Sequence, residues 1–253
     1  MIKMDKKMDK SQVVRNLGKK YKLIPYLEKA IVGFDDPWEY KYTQKEKDDA
    51  WHPSGHCTPP VSELYEIAIG THEGHDFSGL DKNFQIGHFW HQFIQYVILH
   101  KLEFCEPEAI ERRGSRYWPQ GVGKPGAFHW VTGAGDIAPI VLPCGWQGVV
   151  DIKSMGSYSF NKSEKVLPFA DKYECQFNIY MDLFDEDQAM LLAVNKDTPH
   201  DFKEFVFERD QNLIDAIYAK WEFVSLSLEA DEPPVPDDDR AFALPEMQGP
   251  ISS

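Results

Sequence analysis

Apolar residues recur along this chain at two periods, and the change of period divides it. Over "VSELYEIAIG" (residues 61–70) and "GLDKNFQIGHFWHQFIQYVILHKLEF" (residues 79–104) the spacing is three to four, which predicts helices. In the second, Phe89, Phe93, Val97 and Ile98 fall on one helical face. After a Gly/Pro-rich break, "RRGSRYWPQGVGKPG" (residues 112–126), the pattern tightens. "AFHWVTGAGDIAPIVLP" and "GWQGVVDIKSM" predict two strands joined by a turn near residues 143–145. "FADKYECQFNIYMDLF" returns to helical spacing, with Tyr173, Phe177 and Tyr180 on one face. "DQAMLLAVNKD" and "KEFVFERD" predict two more strands, and "NLIDAIYAKWEFVSLSL" a last helix. The expected fold is therefore α/β, a central mixed β-sheet flanked by helices.

Both ends fall outside this pattern. Residues 1–22 carry eight Lys/Arg against two Asp and read as a basic arm or short amphipathic helix. Residues 229–253 are acidic and Pro-rich, with seven acids against one Arg, and read as a disordered tail. That leaves residues 23–228 for one folded domain. The polar stretch "DDPWEYKYTQKEKDDAWHPSGHCTPP" reads as a connection into the first helix.

One predicted strand breaks its own pattern. "GVVDIKSM" is an apolar, β-branched run interrupted by Asp151 and Lys153. Residues i and i+2 of a strand project to one face, so a carboxylate and an ammonium stand side by side there. Asp136, in "GAGDIAP", lies on the preceding predicted strand. Two carboxylates from neighbouring strands, with a backbone carbonyl such as that of Ile152, make a hard oxygen site of the kind Mg²⁺ or Mn²⁺ takes. Such a cation makes water a better nucleophile and offsets charge on a phosphoryl oxygen. Lys153 could orient the attacking water or stabilise the transition state. For the pair alone, a plain salt bridge is the simpler account, since a lone D-x-K occurs by chance in most proteins.

Composition limits the alternatives. The chain has 253 residues, a net charge of −14 and 42% hydrophobic residues. It can bury a sizeable core, and no apolar run approaches the roughly 18 residues of a membrane span. The basic N-terminal stretch has no apolar stretch of a secretory signal, which points to the cytoplasm. The negative charge argues against tight nonspecific nucleic-acid binding but says nothing of one groove. Cys57, Cys105, Cys144 and Cys175 are scattered and read as reduced thiols. His52, His56, Cys57, His72 and His75 are zinc ligands by type, in spacings that match no zinc module, so a zinc-stabilised binding module stands as an outside alternative. Lys196 reads as a phosphate contact or a turn lysine. Trp118, Phe128 and Trp130 read as base-stacking or core residues.

The ordered set "GHFWH" (Gly87 to His91), "GAGD" (Gly133 to Asp136), "DIK" (Asp151 to Lys153) and "QFNIY" (Gln176 to Tyr180) resembles the PD-(D/E)XK nuclease superfamily, in the RecB-like branch of phage and CRISPR-associated exonucleases. "HPSGHC" resembles the Ser-containing segment that opens many members, which puts Ser54 at the DNA. The resemblance implies a restriction-endonuclease-like core and a metal-dependent DNA exonuclease that leaves a 5′-phosphate and a 3′-hydroxyl. It implies metal ligation by His91, Asp136, Asp151 and Ile152, with Mg²⁺ or Mn²⁺ as cofactor, and water activation by Lys153. Gln176 and Tyr180, one helical turn apart, would line the site and contact DNA or Lys153. Linear DNA ends would be the partner, in phage or CRISPR-type recombination or repair, with a recombination or replication protein as a further candidate partner, no membrane, an oligomer compatible, and the host cytoplasm as location for a phage-encoded chain. A restriction-type endonuclease and a catalytically silent DNA-processing scaffold are the alternatives. Two departures stand out. No cysteine follows Cys175, so no iron–sulfur cluster is expected. The Arg that many members carry after the first Cys is absent from "CTPP".

Overall fold

The computed structural model describes residues 23–31, 49–73, 81–117, 128–163, 167, 169–198 and 201–250. The N-terminal arm, His75 and Trp118 lie outside the described residues. Five strands form one sheet in the order β1 (Ile110–Tyr117), β2 (Trp130–Val141), β3 (Gln147–Met155), β4 (Gln188–Asn195) and β5 (Phe202–Glu208). Neighbours pair antiparallel except β3 and β4, which are parallel. A parallel pair needs a crossover, and a helical one links β3 to β4. The fold is thus the α/β arrangement expected, a mixed sheet with helices on both faces. The helices are α1 (Ile24–Ile31), α2 (Pro53–His56), α3 (Val61–Ala68), α4 (Asp81–Val97), α5 (Ser157–Lys162), α6 (Ala170–Phe184), α7 (Gln211–Ala230) and α8 (Pro236–Ala241). Among the described residues no helix is long and apolar enough to cross a membrane.

Alternation along β3 divides the core. Val150 and Ile152 face one way and pack with Ile94 and Val97 of α4, with Ile98 just after it, and with α1. Val149 faces the other way and packs with Phe177, Met181 and Phe184 of α6. Asp151 and Lys153 alternate with Val150 and Ile152, so they share the α6 side. The buried face of α4 is centred on Ile94 and Val97 and runs on into Ile98 just after it, whereas Phe89, expected on it, is 38% exposed and stacks on Phe93. A third cluster forms between α3, α6 and α7 around Trp51 and Trp221, whose rings stack in parallel. All four cysteines are free thiols.

Three expectations change. The Gly/Pro-rich break hides β1, which pairs with β2 alone and carries Glu111, Arg112, Arg113 and Arg116. An edge strand needs charge rather than an apolar alternation, so the pattern that marks central strands is missing from it. Trp51, read as part of a polar connection, is fully buried and forms a parallel bridge with Val131. Residues 229–250, read as a disordered tail, continue α7, form α8 and pack back on the domain. Asp239 accepts from the Ser62 backbone N–H and hydroxyl at 3.0 and 2.8 Å. Phe242 stacks on Phe223 with ring centroids 4.5 Å apart. The Glu174 carboxylate accepts from the Gln248 and Gly249 N–H groups at 2.9 and 2.6 Å. The few apolar residues of the segment sit where they can cover α7, and its acids find specific donors.

Glu174→Ala removes the acceptor of two backbone N–H groups, a loss on the order of 1–3 kcal/mol for the strap it holds. Residues 242–250 are then expected to be cut by a nonspecific protease at least about tenfold faster than in the wild type, with the sheet left intact. Mass mapping of limited digests measures this, and equal rates would show that the strap is held elsewhere.

Candidate active site

Three helices and three strands, β1 among them through Glu111, converge on a cavity of about 550 Å³ lined by Ser54 of α2, His91 and Gln95 of α4, Asp136 of β2, Asp151 and Lys153 of β3, and Gln176 and Tyr180 of α6. His88, Gln92, Glu111 and Ala134 complete the described lining. The antiparallel β2–β3 register, with Ile137 opposite Val150, brings Asp136 beside Asp151. Close approach depends on two glycines. A Cβ at Gly87 would stand 3.0 Å from Ser154 Oγ, so Gly87 lets α4 lie against β3. A Cβ at Gly133 would stand 2.7 Å from the Tyr180 ring, so Gly133 makes room for that ring over β2.

Asp136 is 7% exposed and Asp151 2%. Two buried carboxylates side by side require compensation. Asp136 Oδ2 accepts from the Ile152 N–H at 2.6 Å and lies 3.4 Å from His91 Nδ1. Asp151 Oδ2 has the Lys153 ammonium at 2.6 Å but accepts no well-directed hydrogen bond. Burial works to raise the Asp136 carboxyl, yet His91, Lys153 and the Ile152 N–H outweigh it and hold Asp136 below its ordinary range. Burial raises Asp151 more than Lys153 offsets, and Asp136 adds to the rise. Burial lowers Lys153 and His91, but the carboxylates prevail and raise both. The result at neutral pH is a charged pair on β3 and a second charged or strongly polarised pair between α4 and β2.

Gln176 Nε2 donates to the Tyr180 hydroxyl at 3.0 Å. Burial, with Asp151 close by, raises the Tyr180 phenol well above its ordinary value, so it stays protonated. Glu174 and Asp182, on other faces of the same helix, are structural. Asp182 pairs with Arg116 at 2.5 Å and Arg209 at 2.7 Å, and accepts from Tyr218 at 2.7 Å.

The expected site residues thus gather, with one exception. Lys196 lies beyond the end of β4, where its N–H donates to Met155 O, and is not among the lining residues. Sequence reasoning missed Gln95 and Glu111. Gln95 stands one helical turn after His91, a spacing that could have signalled it. Glu111 sits in the strand hidden in the Gly/Pro-rich segment.

A divalent cation fits this donor set. A buried Asp151 oxygen held by the Lys153 ammonium without a well-directed hydrogen bond, beside a second carboxylate, is the hard anionic oxygen such a cation seeks. Among the described residues no group of three His, Cys, Asp or Glu side chains is gathered to hold a metal, so carbonyl and water oxygens would complete the set. Among the described residues the zinc alternative gains no cluster: His56 Nδ1 accepts from the His52 N–H at 2.9 Å, Cys57 is buried, and His72 lies near Glu63 and Glu66. Phe128 packs on Trp51 with centroids 4.8 Å apart, and Trp130 donates to Asp49 O at 3.0 Å, so both belong to the fold rather than the cavity.

Two expectations follow for the walls of the cavity. Gly133→Ala drives a methyl into Tyr180 and Pro53 and costs about 1–3 kcal/mol in urea unfolding, with the Tyr180 ring displaced; an unchanged midpoint would mean that the ring moves freely. Burial, and then His52, lower His56 to about 4, so the α2 segment that presents Ser54 needs a neutral imidazole. A group whose folded value is depressed binds its proton more readily when unfolded, so stability is present above about pH 6.5 and is lost as pH falls toward 4, on the order of 2 kcal/mol. His56→Asn keeps an acceptor without the titration, so its stability is expected to vary less across pH 4 to 6.5, measured by denaturant melts of both proteins.

No protein-family model and no curated protein matches the chain. Solved structures similar to it include SSO0001, with TM-score 0.47 and 15% identity over 81% of this chain and 84% of that one. They also include an alkaline exonuclease, LHK-Exo, from Laribacter hongkongensis, with TM-score 0.44 and 15% identity over 72% of this chain and 89% of that one. A phage related exonuclease from Haemophilus somnus 129PT has TM-score 0.44 and 18% identity over 67% of this chain and 82% of that one.

Proposed function

We propose that this chain is a divalent-cation-dependent DNA exonuclease. The observation that carries the proposal is the convergence of Asp136, Asp151, Lys153, His91, Gln176 and Tyr180, which four separate elements supply, on one cavity. A structural salt bridge accounts for Asp151 and Lys153 but not for a second buried carboxylate beside them with its own histidine. Asp136, Asp151 and the Ile152 carbonyl would hold Mg²⁺ or Mn²⁺, with His91 at Asp136. The cation, when bound, neutralises charge on the phosphoryl oxygens and lowers the pKa of water.

The protein's own groups do the rest. The Lys153 ammonium, held by Asp151, faces the cavity and orients the attacking water or stabilises charge on the phosphoryl group in flight. His91 and the Ile152 N–H keep Asp136 ionised and fixed. Gln176 and the protonated Tyr180 offer a neutral hydrogen-bonding edge to the DNA backbone, and Ser54, on the short helix packed beside theirs, lines the same cavity. Water attack in line with the leaving 3′-oxygen gives a 5′-phosphate and a 3′-hydroxyl. The resemblance of the motifs to those of phage and CRISPR-associated exonucleases supports DNA ends as the substrate and recombination or repair as the setting.

The deciding assay incubates end-labelled linear DNA and a covalently closed circle with wild type, Asp151→Ala and Lys153→Ala, in Mn²⁺ or Mg²⁺. Loss of linear DNA with the circle intact is expected for wild type, and a fall of at least about a hundredfold for each variant. Cutting of the circle points to an endonuclease. Intact linear DNA in both metals, on single- and double-stranded ends, sinks the enzymatic reading and favours the scaffold.

A further inference from the structure

Three adjacent strands place three acids side by side. Glu111 lies between Ile110 and Arg112, whose partners on β2 are Ile137 and Gly135, so it stands beside Asp136. Asp151 follows Val150, the partner of Ile137. Glu111, Asp136 and Asp151 form one row across the sheet, and all three line the cavity.

One amide joins the first two members. Gln95, 5% exposed, donates from Nε2 to Glu111 Oε1 at 3.0 Å and to the Asp136 carbonyl at 3.1 Å. His91, one turn earlier on α4, meets the Asp136 carboxylate. The same helix therefore grips Asp136 at its side chain through His91 and at its main chain through Gln95. Glu111 adopts φ 50°, a left-handed conformation that is uncommon for a residue with a side chain and persists only where the surroundings over-determine it. The Gln95 amide is part of what holds it there. A simple edge strand has no need of such a residue; a carboxylate that must face a cavity does.

We infer that Gln95 is a positioning residue of this site, and that through it Glu111 adds its negative charge to the cavity wall beside the cation-binding Asp136 and Asp151 without ligating the cation itself. This rests on the cation-binding reading of the cavity given above. Gln95 touches neither cation nor DNA; it acts by fixing the spacing between Glu111 and Asp136. Partners that orient ligating groups in this way are worth about 10–100-fold in metal affinity.

The test is a calorimetric titration of Mn²⁺ into metal-free full-length wild type, Gln95→Met, Glu111→Ala and the double variant. Methionine keeps the length and packing of Gln95 but donates nothing, so the fold is retained. Each single variant is expected to weaken Mn²⁺ binding about tenfold, and the double variant by clearly less than the hundredfold product, because the two residues act as a unit. The inference is overturned if either single variant binds like wild type, if the double variant reaches the full product, or if wild type shows no saturable Mn²⁺ binding. Cleavage of end-labelled DNA by the same wild-type sample judges the nuclease reading separately. Coupled Mn²⁺ binding with intact DNA upholds the positioning role and sinks the nuclease.

Discussion

Two carboxylates buried next to each other are the constraint around which the rest of this molecule is arranged. Asp136 and Asp151 repel one another and have lost most of their hydration, so each must be stabilised by something aimed at it. The Ile152 N–H reaches Asp136 only because β2 and β3 are in register there. His91 reaches it only because α4 can lie against β3, which the missing side chain of Gly87 permits. Lys153 reaches Asp151 because a strand returns to the same face every second residue. Moving any of these elements leaves a buried charge without its partner, a cost that exceeds most packing defects.

The helix Ala170–Phe184 shows how one element serves three surroundings at once. Phe177, Met181 and Phe184 pack against the sheet. Gln176 and Tyr180 face the cavity. Glu174, Asn178 and Asp182, spaced by four, form a polar stripe on another side. That stripe receives the C-terminal part of the chain: Glu174 takes the N–H groups of Gln248 and Gly249, Asn178 takes that of Asp210, and Asp182 takes Arg209 and Tyr218. A helix that is buried nearly all round yet rich in polar residues is stable because each polar group has a named partner.

This explains what could be read from the chain and what could not. β2 to β5 and the long helices were legible because their burial writes a period into the sequence, and Asp136, Asp151 and Lys153 were legible because they interrupt that period. β1 was not, because an edge strand carries charge in place of alternation. Glu111 was hidden with it, since nothing in "IERRGSRY" distinguishes an acid aimed at a cavity from one aimed at water. Gln95 was hidden because an amide on a mixed helix face is read as surface until its two acceptors, both distant in sequence, are in view. The order of residues 231–250 was missed for a related reason. Composition registers their acids and prolines, but not that Ser62 and Glu174, far earlier in the chain, hold complementary groups.

The C-terminal segment is acidic without being repelled by its neighbours. Its three consecutive aspartates lie at the start of α8, where free backbone N–H groups favour negative charge, and Asp238 accepts from the Val235 N–H at 2.8 Å. Asp239 is spent on Ser62. Phe242, Leu244 and Met247 then cover the cluster between α3 and α7 that Trp51 and Trp221 build. That cluster carries α2 through the Trp221 N–H, which donates to His56 O at 2.7 Å, and α2 carries Ser54 to the cavity wall. The segment that looks least like part of the domain therefore supports, through two packed layers, one side of the site that the most strongly patterned strands create.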